Sequence, residues 1–154
     1  MGCCCFCYSQ NEINMAYTYE YPRPAITVDA VIFSKDKHLL LIQRKHPPFK
    51  GYWAFPGGFV NMDETLEDAV ARELFEETGI KNIQLTQFHA FSDINRDPRH
   101  RTISIVFIGI VEEKTLLKAG DDAENALWFD FENIPNLAFD HREILLNAIE
   151  NIFK

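Results

Sequence analysis

The sequence predicts a mixed α/β fold, a single β-sheet flanked by helices. Three observations lead there. Strand-like and helix-like segments interleave along the chain. The first two strands stand close enough to form a hairpin, which a purely parallel sheet would not contain. The chain has 154 residues, 47% apolar and 25% charged, enough for one domain with a sizeable core. There is no internal repeat, no low-complexity segment and no second-domain boundary. The reading is therefore an N-terminal tail at residues 1–22 and one domain at 23–154.

Ala25–Phe33 (AITVDAVIF) is β-branched and mostly apolar, the pattern of a buried strand. Ser34-Lys35-Asp36-Lys37 reads as a turn, and His38–Arg44 returns as the second strand. Lys45–Gly51, with two prolines, is a loop. Tyr52–Phe55 is short and aromatic, and Pro56-Gly57-Gly58 is expected to turn sharply. A helix follows over 65–78. Ile83–Phe91 and Thr102–Val111 read as strands joined by the polar loop Ser92–Arg101. Ala126–Phe129 is a short strand. Asp140–Phe153 is a final amphipathic helix, with Ile144, Leu145, Ala148, Ile149 and Ile152 at helical spacing.

Charge and cysteine placement narrow the function classes. The net charge is −8, which argues against a general nucleic-acid binder. An acidic protein can still take phosphates where a divalent cation mediates. No apolar run reaches the roughly 20 residues of a membrane helix, so no membrane partner is expected. All four cysteines (Cys3, Cys4, Cys5, Cys7) lie in the first seven residues, so the core does not depend on disulfides. Gly2 invites myristoylation, but Phe6 stands where Ser or Thr is needed. Acylation and metal binding are open to the cysteine cluster, although its spacing is too tight for tetrahedral zinc. A dispensable tail, with Met15 as an alternative start, is the preferred reading. No signal peptide is evident, and a cytoplasmic location is expected.

The helix at 65–78 raises a physical question. Thr65 with Asp68 fits a capping box, and Gly79 can end the helix in the left-handed conformation. Leu66, Val70, Glu73 and Glu77 fall in one stripe roughly 60° wide. The stripe begins apolar and ends acidic, and Glu76 flanks it. Like charges three or four positions apart repel by a few tenths of a kcal/mol each. Arg72 offsets this only in part. A bound divalent cation does so efficiently, and magnesium, a hard ion with oxygen ligands, suits such a group. A solvated acidic face is the bland alternative.

Gly58, Glu64, Arg72, Glu73, Leu74, Glu76, Glu77, Gly79 and Ile80 together resemble the signature of the Nudix hydrolase family, without departure. The resemblance implies that family's α/β/α sandwich with a mixed central sheet, over about residues 24–153. It implies Mg2+, with Mn2+ as a substitute, held by Glu73, Glu76 and Glu77 and by a carbonyl of Gly57 or Gly58. Glu64 and Arg72 would brace the loop against the helix. Glu73 or Glu77 is the first choice as general base. Asp121, Asp122 and Glu124 are candidates for an extra ligand or an alternative base, and a solvated loop is at least as good a reading of them.

The segments Trp53–Val60, Arg96–Ser104 and Leu137–His141 resemble the ADP-ribose pyrophosphatase-like branch of the family. That implies hydrolysis of the pyrophosphate link of a nucleoside diphosphate derivative, ADP-ribose to AMP and ribose 5-phosphate. Arg44, Arg96, Arg99 and Arg101 are the candidate phosphate-binding cations, since guanidinium takes phosphate bidentately. Surface ion pairing is the alternative for each. Phe49, Tyr52, Trp53 and Phe91 could stack on adenine, but core packing is the better reading. Two other functions stay open. One is cleansing of the nucleoside triphosphate pool. The other is a non-catalytic ADP-ribose sensor, disfavoured because the chain stops at Lys154 with no room for a DNA-binding domain. The expected partner is a small nucleotide rather than nucleic acid, and a homodimer is compatible with the reading.

Overall fold

The structure, a computed structural model, describes residues 18–114, 117 and 123–152, with the side chains of 123 and 124 excepted. The cysteine-bearing tail, Met15, Asp121, Asp122 and Phe153 lie outside the described residues, as does the Glu124 side chain. The elements run β1 (Ala25–Ser34), β2 (His38–Arg44), β3 (Trp53–Ala54), β4 (Gly57–Phe59), α1 (Leu66–Thr78), β5 (Leu85–Phe91), β6 (Thr102–Val111), β7 (Ala123–Asp130) and α2 (His141–Ile152). A short 3-10 turn, Phe131–Asn133, follows β7.

The sheet is mixed, as expected. Its main path is β3-β2-β1-β6-β5, with β4 paired to β1 and β7 paired to β2. β1 and β6 run parallel in unbroken register from Ala25↔Thr102 to Ser34↔Val111. β2 is antiparallel to both β1 and β7. β7 is longer than the sequence suggests because it pairs with β2 from His38↔Asp130 to Arg44↔Ala123. That pairing partner lies far off in sequence and leaves no local signal.

Strand alternation divides the core into two layers. Val28, Ala30 and Ile32 pack with Val70 and Leu74 of α1. Val31 and Phe33 face the other way, against Ile144, Leu145 and Ala148 of α2. β1 is buried on both faces, which is why it reads as a continuous apolar run. The result is a helix on each face of one sheet. Among the described residues no helix is long and apolar enough to cross a membrane.

One expectation is corrected. The chain bends at Pro56, as expected, but Gly57 and Gly58 do not continue a turn. Gly57 and Gly58 belong to β4, antiparallel to β1 through Asp29↔Gly57, Val28↔Gly58 and Thr27↔Phe59. Neither glycine has a positive φ. They are needed for closeness instead. A Cβ on Gly57 would strike the Val28 carbonyl oxygen, and one on Gly58 would strike the Glu73 carboxylate.

Candidate active site

α1 starts where the capping signal places it. Thr65 accepts from the Asp68 N–H at 3.1 Å, and its hydroxyl donates to Asp68 Oδ2 at 2.8 Å. The helix ends at Gly79, whose φ is 77° and whose N–H bonds the Phe75 carbonyl. Between these caps Val70 and Leu74 are sealed in the core. Glu73 and Glu77, further along, turn toward a cavity of about 450 Å³. Its lining also includes Gly57, Gly58, Arg72, Arg44 and Arg99.

Arg72 organises the acids. Its Nε donates to Glu64 Oε2 at 2.9 Å and its Nη2 to Glu64 Oε1 at 2.6 Å. Its Nη1 donates to Glu73 at 2.8 Å and to Glu76 at 3.1 Å. Nη2 also reaches the Phe59 carbonyl at 3.2 Å. One guanidinium thus ties the loop before α1 to the helix itself. Hydrogen bonds, first to Glu64 and then to Glu73, raise the pKa of Arg72. The same bonds from Arg72, helped by the Asn61 N–H, hold Glu64 down at about 2. Glu73 goes the other way: burial raises its pKa, against the pull of Arg72.

Glu77 is buried, and its Oε2 accepts the Gly57 N–H at 2.9 Å. Glu76 is not part of the cavity lining, and its side chain is 55% exposed. Among the described residues no three acidic or imidazole groups converge as a finished metal cluster. Glu73 and Glu77 nonetheless offer hard oxygen donors on one wall, and Glu73 is a half-buried carboxylate sharing a single arginine with two other acids. That donor set suits a divalent cation such as magnesium. Glu76 would have to leave Arg72 to join it.

The four arginines part company. Arg44 lines the cavity, with Nε on the Pro48 carbonyl at 2.8 Å and its guanidinium over the Phe139 ring at 4.9 Å. Arg99 also lines it, over Phe59 at 5.4 Å and Phe139 at 5.8 Å, and pairs with Asp97 at 2.7 Å. Burial, then the nearby Arg99 charge, lowers the pKa of Arg44. Both guanidiniums thus stand beside the Phe139 ring, and Asp97 holds that of Arg99 bidentately, through Nε at 3.0 Å and Nη2 at 2.7 Å. Arg96 reaches the cavity lining but is bound bidentately by Asp140, at 2.8 and 2.7 Å. Arg101 is absent from the lining and donates to the carbonyls of Ser92 and Asp93.

Of the aromatics, Phe49 lies against Phe139 at 4.9 Å and Tyr52 at 5.9 Å, while Trp53 packs on Phe129 at 4.6 Å. Trp53 and Phe91 border the core on the α2 side. None of Phe49, Tyr52, Trp53 and Phe91 lines the cavity; Phe139 does.

Sequence reasoning missed Asp29. It lies in the middle of an apolar strand, buried, and it lines the cavity. Its Oδ2 accepts a hydrogen bond from the Ser104 hydroxyl. An acid within a run of Ile, Val and Ala is the available signal, since a buried carboxylate needs a partner.

The comparisons with known proteins identify the class of domain to which this fold and its acidic wall belong. Residues 23–148 match the NUDIX domain profile, and the chain belongs to the Nudix family. A Methanocaldococcus jannaschii protein named ADP-ribose pyrophosphatase is 51% identical over 125 residues, covering 81% of this chain and 73% of that one. An Acinetobacter baylyi protein, the ADPR responsive transcriptional repressor NtrR, is 36% identical over 140 residues, covering 86% and 56%. This chain thus spans little more than half of that repressor. The crystal structure of the NUDIX domain of Shewanella oneidensis NrtR, complexed with ADP ribose, superposes with a TM-score of 0.80 at 28% identity, covering 86% and 90%.

Proposed function

We propose that the protein is a cytoplasmic, magnesium-dependent Nudix pyrophosphohydrolase that converts ADP-ribose to AMP and ribose 5-phosphate. The observation that carries this is one cavity with carboxylates Glu73 and Glu77 on one wall and guanidiniums Arg44 and Arg99 on another. The kinship to the Methanocaldococcus jannaschii protein, and the ADP ribose held by the Shewanella oneidensis domain, support the choice of substrate.

The residues divide the work. Arg44 and Arg99 take the diphosphate oxygens by charge-assisted hydrogen bonds. Phe139, within cation–π distance of both, limits their freedom. Glu73 and Glu77, joined by Glu76 once it leaves Arg72, would hold the cation, which when bound would supply neutralisation of phosphate charge and a more acidic water. Glu73 or Glu77 would take the proton of the attacking water. Water adds to one phosphorus, and the bridging P–O bond breaks, leaving both phosphates as monoesters. Arg72 and Glu64 keep the acidic wall in register with β4.

The test is turnover of purified protein with ADP-ribose and magnesium, with products separated and weighed by mass spectrometry. AMP and ribose 5-phosphate are expected. Preferred turnover of a nucleoside triphosphate would favour pool cleansing. The kinship to NtrR keeps a sensor as the second reading, and tight ADP-ribose binding without turnover would favour it.

A further inference from the structure

The first residue of α2 is coupled to the acidic wall through the main chain of β3–β4. His141 is 3% exposed, and its Nδ1 accepts the Phe55 N–H at 3.0 Å. Its ring stacks on the Phe55 ring, centroids 4.7 Å apart and planes 12° from parallel. Accepting that N–H fixes the neutral tautomer with the proton on Nε2. Nε2 faces Asp29 Oδ1 at 3.7 Å, an electrostatic contact rather than a hydrogen bond. Burial keeps the imidazole pKa low, against the opposing pull of Asp29 and Asp140 and with the aid of Arg96 and Arg44. Nδ1 therefore stays free to accept.

Phe55 leads directly into the backbone that meets the glutamates. The Pro56 carbonyl accepts the Ala30 N–H at 2.8 Å. Gly57 lies opposite Asp29 and donates its N–H to Glu77. Gly58 passes so close to Glu73 that a Cβ could not fit. The segment from Phe55 to Gly58 is therefore held by β1 from Pro56 onward, by Glu77 at Gly57 and by His141 at Phe55. Without His141, the Phe55 N–H would be buried without a partner, and the strand would be free to shift at that end.

We infer that His141 is a positioning residue for the hydrolytic site: it sets the Phe55–Gly58 strand, and so the Glu77 carboxylate, without touching substrate. This rests on the proposed hydrolase reading and adds a residue to it. A misplacement of about 1 Å at a reacting group costs up to a hundredfold in rate, so the effect belongs in kcat.

Three variants separate position from bulk. Asparagine in His141→Asn places an oxygen near the Nδ1 position and can accept the Phe55 N–H. His141→Gln places its amide near Nε2 instead, and His141→Leu offers no acceptor. With ADP-ribose and magnesium, Gln and Leu should lower kcat about ten- to hundredfold, with KM changed less than about threefold. Asn should return kcat to within about threefold of wild type. Independently of turnover, Mn2+ affinity measured by water-proton relaxation without ADP-ribose should weaken in Gln and Leu and recover in Asn. If Leu does not fold, the Asn and Gln pair decides alone. Asn as impaired as Gln, or Gln equal to wild type, would overturn the inference. If wild type leaves ADP-ribose intact, the substrate reading falls, and the Mn2+ series still decides the role of His141: equal affinities reject it, and a loss rescued by Asn upholds it.

Discussion

Gly58 and Glu73 are in mutual contact: the glycine's missing side chain is the space the Glu73 carboxylate fills. Gly58 has no positive φ, so alanine is tolerated by the backbone there. Its methyl would displace Glu73 from the cavity wall. Gly58→Ala should therefore fold, with turnover reduced about tenfold or more, as for a misplaced catalytic group. Circular dichroism and steady-state kinetics on one preparation check both halves. Full activity would remove Glu73 from the site.

Glu77 bears the second expectation. Its Oε2 accepts from Gly57, and a glutamine oxygen can do the same. Glu77→Gln thus keeps the shape and loses one charge from a crowded helix. Without metal, its melting temperature should match or slightly exceed wild type. With magnesium, wild type should gain stability by mass action and the variant should gain less. Turnover should fall about a thousandfold, roughly 4 kcal/mol of barrier. Equal magnesium shifts in both melting curves, with activity retained, would return the helix to a solvated acidic face.

Much of this architecture is legible in the chain, and what is hidden has a physical cause. β6 follows from its apolar run, and α1 from Thr65 and Gly79, because these signals are local. That Glu73 and Glu77 share a face is helical arithmetic. β4 is illegible because two glycines carry no side-chain pattern; pairing with β1 alone makes them a strand. The arginine loop shows its charge in sequence but not its directions. Arg96 turns to Asp140, 44 residues away, and Arg101 folds back on its own loop. Asp29 is hidden because its partner Ser104 is 75 residues distant.

Asp97 makes a pH prediction. Burial by itself would raise its pKa, but hydrogen bonds from the Arg99 side chain and N–H outweigh this and hold it at about 2. A depressed carboxylate pKa stabilises the fold above its unfolded value of 3.8, and that stability is lost as pH falls toward about 2. Wild type should therefore lose melting temperature steeply over this interval. Asp97→Asn should be less stable at neutral pH and lose less on acidification. Parallel curves for the two proteins, measured by calorimetry between pH 5 and 2, would mean that the Asp97–Arg99 pair carries no such linkage.

Arg99 and Arg101 stand two residues apart and should behave differently. Arg99 lies on the cavity wall, held over Phe59 and Phe139 and steadied by Asp97. Its approach to a phosphate oxygen replaces water with a charge-assisted hydrogen bond, and losing such a bond costs about 1.5–3 kcal/mol. Arg99→Ala should then lower kcat/KM for ADP-ribose roughly ten- to hundredfold. Magnesium-dependent stabilisation should persist, because the carboxylates are untouched. Arg101 spends its guanidinium on the Ser92 and Asp93 carbonyls at an exposed position. Arg101→Ala should cost at most about a few tenths of a kcal/mol of stability and leave kcat/KM within about twofold of wild type. Kinetics of the two variants side by side provide the measurement. A large loss in Arg101→Ala with a small one in Arg99→Ala would invert the assignment, placing the diphosphate outside the cavity that Glu73 and Glu77 line.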